Sequence, residues 1–171
     1  MNSLILPETA QKVTDLLEFI WNGNRIFDRA CSIIKVKFNM YNLSDALHVD
    51  YAHYFPAVSD EIVDFMEGYN QSVIYPETIR GSADYSNPIE LIIELSEYFA
   101  DFKEKVYKLS KELSQTDSMV DYELSKFLDK VGLEALSKNQ RLIKMQNIIV
   151  GALRPDSSKQ EIIDLDNYIK W

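Results

Sequence analysis

The stretch NQSVIYPETIRGSADYSN, residues 70–87, divides four long amphipathic segments of this chain into two pairs. Within each pair the connection is only a few residues, which predicts antiparallel neighbouring helices. A helix of about 26 residues is roughly 39 Å long at 1.5 Å per residue, whereas eighteen extended residues reach roughly 60 Å. The middle connection is therefore long enough to run the length of a bundle, so that the third helix begins at the end where the second began.

The composition is typical of a helical protein rather than of a membrane span or a nucleic-acid binder. The chain has 171 residues, 46% of them apolar, with 5 Gly and 5 Pro, and we expect one domain over residues 1–171. No apolar run approaches the ~20 residues of a membrane span, and residues 1–8 lack the pattern of a signal peptide. The net charge of −9 argues against direct binding of nucleic acid. The single cysteine, Cys31, allows no internal disulfide, and we expect a cytoplasmic protein.

Local signals predict where each helix begins. Ser44 is a candidate N-cap for the second helix. Asn87 and Pro88 supply an N-cap and a first helical residue for the third, and Ser158 with Glu161 forms a capping box for the last. The fold prediction is all-α: a four-helix bundle with one long crossover and a short C-terminal helix docked on the bundle or on a neighbour. The predicted helices span about 8–41, 45–69, 88–114, 118–150 and 159–169.

Two residues interrupt this pattern and leave alternatives open. Asn24 places an amide within the apolar stripe of the first helix, where it needs partners. It sets the helix register, binds a water, or lies near a metal. Pro56 lies within the second helix, where it removes a backbone hydrogen bond. One kinked helix is favoured because the apolar spacing continues across the proline; the alternative is two shorter helices, the second capped by Ser59.

Candidate metal ligands are concentrated in the second predicted helix. It contains both histidines of the chain, His48 and His53, among several aspartates. Imidazole and carboxylate together suit iron, zinc or manganese. Asp50, His53, Asp60 and Asp64 follow one another by three, seven and four residues, which predicts a single stripe on the outward face of the helix. A metal ion on that face needs a second subunit to complete its ligand set.

Other chemistry receives less support from the sequence. A di-iron centre inside a bundle uses Glu-x-x-His motifs on two helices, and no Glu-x-x-His occurs in this chain. We therefore expect no standard internal di-iron site. Cys31 falls at a core position of the first helix and is interpreted as a small core residue. No glycine-rich phosphate loop, Cys-x-x-Cys pair or nucleophile elbow is present.

Residues 24–80 resemble the Dps-like mini-ferritins of the ferritin-like superfamily. The resemblance rests on a Leu-His pair near the start of the second helix, an Asp-x-x-x-acid motif, a glycine-containing exit and a link with Pro and Thr. These correspond to residues 47–48, 60–64, 67–70 and 75–78. The chain departs from the family pattern at Asp64, which replaces a Glu, and in a shorter interval between His48 and Asp60. Residues 38–41 replace a His-Trp pair, and no lysine-rich tail is present.

The resemblance implies a ferritin-like bundle that binds iron, and oxidises or stores it, at a site shared across a two-fold interface. The implied ligands are His48, His53, Asp60 and Asp64, with Asp50 beside them; zinc and manganese are alternatives to iron. The resemblance also implies a homo-oligomer, either a dimer or a dodecamer. One alternative is an interaction protein with a helical bundle and a degenerate or absent metal site. Another is an enzyme with a pocket near residues 24–28.

Overall fold

The computed structural model describes residues 3–171 and is all-α over that range. Met1 and Asn2, where the stretch considered for a signal peptide begins, lie outside the described residues. A π-helical segment, His48–Ala52, separates the second and third α-helices. The α-helices are α1 (Pro7–Val36), α2 (Tyr41–Leu47), α3 (Tyr54–Gly68), α4 (Pro88–Leu113), α5 (Met119–Ala152) and α6 (Lys159–Tyr168).

Helix α1 packs antiparallel against the run formed by α2, the π-helical segment and α3. The Ser44 hydroxyl donates to the Cys31 carbonyl at 3.0 Å, and the Asn24 amide donates to the Ala52 carbonyl at 3.1 Å. As the chain advances from Ser44 to Ala52, its partners on α1 move back toward the N-terminus. The two helical runs therefore point in opposite directions.

Helix α4 is also antiparallel to α1. The rings of Phe27 and Phe99 lie 6.2 Å apart, and Lys12 forms an ion pair with Glu112. Because α3 and α4 both oppose α1, they are parallel to each other. This confirms the prediction that the crossover carries the chain back along the bundle.

The crossover, residues 69–87, lies along α1 from one end to the other. Successive residues of the crossover contact successive residues of α1 and of the chain just before and after it. Gly81 lies close to the Arg25 carbonyl. The contacts are Ser3 Oγ to Gln71 Oε1 at 2.7 Å, Ile79 N–H to Asn22 Oδ1 at 2.9 Å, Arg29 Nε to the Ala83 carbonyl at 3.0 Å, and Lys37 Nζ to Asp84 Oδ1 at 3.0 Å.

Aromatic side chains fill the middle of the bundle. Six of them, from α1, the π-helical segment, α3 and α4, contact one another at ring separations of 5.3 to 6.3 Å. Gly23 allows this packing, because a Cβ there would lie 2.8 Å from ring atoms of Phe55 and 2.9 Å from Tyr98. The cluster consists of Phe27, Tyr51, Tyr54, Phe55, Phe99 and Phe102.

Helix α1 ends at Val36, five residues before the predicted end at 41. Asn39 has a φ of 58°, a left-handed conformation that asparagine tolerates and that stops an α-helix. The Met40 N–H then bonds back to the Ile34 carbonyl at 3.1 Å. The prediction overran because Phe38 and Met40 are buried, so the apolar pattern continues past the turn.

Helix α2 begins at Tyr41, four residues before the predicted start, and Ser44 is not its N-cap. Ser44 lies inside the helix. The cap comes from α6, where the buried carboxylate of Asp166 accepts hydrogen bonds from the backbone N–H groups of Asn42 and Leu43, each at 2.9 Å. Trp171 Nε1 donates to the same carboxylate at 2.8 Å. The C-terminal helix is thus docked on its own bundle.

The other capping predictions are confirmed. The Asn87 side chain accepts from the N–H groups of Ile89 and Glu90, and Ser158 with Glu161 forms the predicted capping box. Over residues 3–171, none of the helices combines the length and the apolar character that crossing a membrane requires.

Candidate metal-binding surface

The π-helical segment lies just before Pro56, which occupies the first turn of α3. A proline has no N–H to donate to the carbonyl four residues earlier, and here that carbonyl belongs to Ala52. The Asn24 amide takes the place of the missing donor at 3.1 Å. The chain therefore stays helical across the proline, and the departure from α-geometry lies before it. Ser59 does not cap a second helix, because it is buried within α3.

This segment brings the two histidines together. The His53 N–H bonds to the His48 carbonyl five residues earlier at 3.1 Å, and the two rings lie 4.3 Å apart, inclined by 61°. In an α-helix, residues five apart point in directions about 140° apart at 3.6 residues per turn. The wider π-turn, a feature frequent at functional sites, places both imidazoles on one face.

Asp28 of α1 adds a carboxylate beside the histidines. Its Oδ1 lies 3.7 Å from His48 Nε2, and its Oδ2 accepts from Asn24 Nδ2 at 3.2 Å. His48 and Asp28 are both exposed to solvent. A shallow cavity of about 370 Å³ opens next to them, lined by Asp28, Cys31, Ser32, Lys35, Ser44, Asp45 and His48.

Asp50 points away from this pair, toward α5. Its Oδ2 lies 2.6 Å from Nη1 of Arg141, and only 25% of its side chain is exposed. The sequence prediction placed Asp50 in one stripe with His53 because it assumed a uniform 100° per residue. The π-turn changes that phase, so the structure does not bring the Asp50 carboxylate together with the imidazoles.

Asp60 and Asp64 are exposed on α3, where α-helical spacing places them on the side of His53. Ala57, which lies between His53 and Asp60 on the same side of the helix, is exposed as well. Asp45, an exposed residue of α2, places its Oδ1 3.4 Å from Lys35 Nζ. Across residues 3–171, no group of three or more His, Cys, Asp or Glu side chains is arranged to hold a metal ion.

Cys31 is buried in the core, as predicted from its position in the apolar stripe. Burial, aided by the nearby Asp28 carboxylate, raises the pKa of its thiol to about 12. A thiol with that pKa is protonated at neutral pH and is a poor nucleophile. The cavity beside it thus gains no reactive group from Cys31.

Sequence reasoning missed two residues of α5, Lys138 and Arg141, that contact Asp50. Lys138 Nζ donates to the Asp50 carbonyl at 2.9 Å, and the Tyr51 hydroxyl donates to the Lys138 carbonyl at 2.9 Å. A signal for Asn24 was present, because Pro56 leaves the Ala52 carbonyl without a donor. No local pattern indicates Lys138 or Arg141, since both are far away in sequence.

The comparisons with known proteins support the architecture. No family model matches the chain, and neither does any curated protein sequence. Among solved structures, the chain is similar to a protein described as a humanized archaeal ferritin, with a TM-score of 0.83 and 10% sequence identity. The alignment covers 97% of this chain and 96% of that one. At this identity the likeness concerns the fold, and the chain has the ferritin-like four-helix bundle with one long crossover.

Proposed function

We propose that this protein binds Fe(II) on the outer face of α3, at a site that two subunits complete together. The observation that carries the proposal is the pairing of His48 with His53, the only histidines of the chain, on the solvent-exposed side of the helix. Two imidazoles, together with carboxylates from a second subunit, form a donor set that suits iron, zinc or manganese. The name of the solved protein with this fold, a ferritin, favours iron among them.

The arrangement along α3 explains how a second copy completes the site. His53 and Asp60 are seven residues apart, which is roughly 10 Å along a helix at 1.5 Å per residue. If two copies of α3 pack antiparallel about a two-fold axis, the histidines of one subunit lie opposite Asp60 and Asp64 of the other. The exposed residue between them, Ala57, is small enough to let the two helices approach closely. A two-fold interface of this kind is self-complementary.

Oxidation and storage of iron form the second part of the proposal. Carboxylate ligands stabilise Fe(III) more than Fe(II), because the attraction grows with the charge of the ion. The net charge of −9 per chain gives an assembly an acidic surface that attracts cations. We infer a homo-oligomer, either a dimer with shared sites or a larger cage of the ferritin kind.

Anaerobic titration with Fe(II), followed by addition of oxygen, tests the proposal. We expect stoichiometric binding, then oxidation, and a loss of both in His48→Ala/His53→Ala and in Asp60→Asn/Asp64→Asn. The matched control is Asp101→Asn/Asp156→Asn, which removes two exposed carboxylates elsewhere. A parent protein that binds no iron, or that is monomeric by light scattering at the titration concentration, contradicts the shared site.

A second candidate function is that of an interaction protein without a metal. It is favoured by a row of exposed apolar side chains at heptad spacing on α5, next to a groove of about 510 Å³ between α4 and α5. Such a row is typical of helices that pack against another helix. An oligomer or a complex that forms without any metal dependence supports this candidate. The row consists of Leu133, Leu136, Ile143 and Val150.

A further inference from the structure

We propose that Asn24 and Lys138 are positioning residues for the histidine pair: they hold the π-helical segment, and through it the spacing of His48 and His53. The proposal rests on the proposed function, in which the two imidazoles bind one metal ion. Neither residue is a metal ligand in this reading. Each acts on the backbone that carries the ligands.

Asn24 and Lys138 both donate hydrogen bonds to backbone carbonyls of the irregular turn. A buried carbonyl without a donor is costly. The Ala52 carbonyl has lost its α-helical donor at Pro56 and receives the Asn24 amide at 3.1 Å instead. The Asp50 carbonyl receives Lys138 Nζ at 2.9 Å. The turn is thus supported from α1 on one side and from α5 on the other.

The register of the buried side chains also depends on this turn. Leu43, Leu47, Tyr51 and Phe55 are fully buried and follow one another in steps of four. Twelve residues turn an α-helix by about 120° more than three full turns at 3.6 residues per turn. A uniform α-helix therefore carries Phe55 away from the core. The π-turn has more residues in each turn, which reduces this excess rotation and keeps Phe55 in the core. The same turn pairs the histidines.

Asn24 contacts both the π-helical segment and Asp28. The same amide nitrogen lies 3.1 Å from the Ala52 carbonyl and 3.2 Å from Asp28 Oδ2. Asp28 Oδ1 in turn lies 3.7 Å from His48 Nε2. Through these two hydrogen bonds, Asn24 connects the backbone next to His53 with the carboxylate beside His48. Groups that orient metal ligands in this way affect metal affinity by about 10- to 100-fold.

Nuclear magnetic resonance of the metal-free protein tests the positioning directly. With only two histidines in the chain, a sample labelled at histidine gives two imidazole spin systems, and their mutual NOE reports the 4.3 Å ring separation. We expect this NOE in the parent protein and the loss of most of its intensity in Asn24→Ala. An NOE of parent intensity in a folded Asn24→Ala variant overturns the role of Asn24.

The control and the rescue separate positioning from general destabilisation. Asn22→Ala removes a side-chain hydrogen bond of α1 to the Ile79 N–H, away from the π-helical segment, and keeps the NOE. In Asn24→Ala/Pro56→Ala the backbone regains an N–H at position 56, which is able to bond to the Ala52 carbonyl. We expect this double variant to regain the NOE. A stable double variant that lacks the NOE shows that Asn24 does not act through the Ala52 carbonyl, and it overturns that assignment.

Lys138→Met provides the second variant, and it decides the question if Asn24→Ala does not fold. The methionine keeps an unbranched apolar stem beside Tyr51 and Tyr54 but removes the donor to the Asp50 carbonyl. A weakened NOE supports the proposal. Lys130→Met, on the same helix and paired with Glu61, is the matched control and keeps the NOE. An unchanged NOE in Lys138→Met overturns the role of Lys138.

Titration with Co(II), a spectroscopic substitute for Fe(II), links the pairing to metal binding. We expect Asn24→Ala to weaken Co(II) binding at least about tenfold and to change the visible spectrum of the bound ion. Asn22→Ala keeps both the affinity and the spectrum. A parent protein that binds no Co(II) and no Fe(II) overturns the proposed function, whereas the NOE measurements still decide whether Asn24 and Lys138 position the histidines.

Discussion

The inside of the four-helix bundle and the outer face of α3 are built from different side chains. The six aromatic residues at the bundle centre are buried and contact one another. The outer face of the adjoining helical run carries His48, His53, Asp60 and Asp64, all exposed. The two regions belong to the same stretch of chain, since Tyr51 and Phe55 face inward between residues that face outward.

This difference locates where metal chemistry is possible in the proposed function. A di-iron centre within a bundle needs carboxylates and imidazoles that project inward. Both histidines of this chain are exposed, and aromatic rings fill the middle of the bundle. Burial of aromatic rings stabilises the fold through apolar area and edge-to-face contacts. The interior therefore contributes stability, and any imidazole ligand for a metal ion must come from the outer face.

The largest loss of stability is expected from Phe99→Ala. Phe99 is fully buried and contacts Phe27, Tyr51, Phe55 and other rings of the cluster. We expect the free energy of unfolding to fall by about 3–5 kcal/mol, from lost burial and a cavity. Urea denaturation followed by circular dichroism measures the change. Leu133→Ala, at a residue that is 71% exposed, is the control; an equally small effect at both positions contradicts an interior that supplies most of the stability.

Gly23→Ala adds a methyl group to the interior instead of removing a ring. The new Cβ lies 2.8 Å from ring atoms of Phe55, which the core has no room to accept without moving. We expect a loss of about 1–3 kcal/mol in the free energy of unfolding, although Ala is the better helix former. Thermal or urea denaturation measures it.

The matched control for Gly23→Ala is Gly151→Ala, near the end of α5. Nothing lies within 4 Å of a Cβ at that position. With no clash to offset helix propensity, we expect a gain of up to about 1 kcal/mol. If the free energy of unfolding changes with the same sign in both glycine variants, the packing at Gly23 is looser than the structure indicates.

The sequence predicts a feature correctly when the residues that determine it are close together in the chain. The crossover and the caps at Asn87 and Ser158 are determined by residues close together in the chain, and those predictions are confirmed. The cap of α2 comes from Asp166, more than 120 residues away, so the local pattern pointed wrongly to Ser44. Periodicity also failed at Asn39, because buried residues continue beyond the turn.

The candidate site also depends on contacts between residues that are far apart in the sequence. His53, Asp60 and Asp64 are exposed on the predicted face, and the π-turn brings His48 beside His53. Whether these residues bind a metal stays a prediction. Asp50 was assigned to that face by counting 100° per residue, and the π-turn directs it toward Arg141. Pro56 signals a missing hydrogen bond, but the compensating donor, Asn24, is visible only once α1 is packed against this segment.

The smallest expected change in stability comes from the outer face. Asp60→Asn/Asp64→Asn alters two exposed carboxylates that lie four residues apart and repel each other. In the absence of metal we expect the free energy of unfolding to stay within about 0.5 kcal/mol of the parent value. With Fe(II) present under anaerobic conditions, the parent melts at a higher temperature because a ligand that binds the folded state stabilises it. The double variant loses this increase.

Melting temperatures measured with and without Fe(II) distinguish the stabilising interior from the proposed metal-binding outer face. A core variant such as Phe99→Ala lowers the melting temperature with or without metal, whereas an outer-face variant changes only the response to metal. Asp101→Asn/Asp156→Asn, which alters exposed carboxylates outside α3, retains the full response to Fe(II). If the Asp60 and Asp64 variant responds to Fe(II) as strongly as that control, the two carboxylates are not ligands. The outer face of α3 is then an acidic solvated surface, and the histidine pair needs another partner.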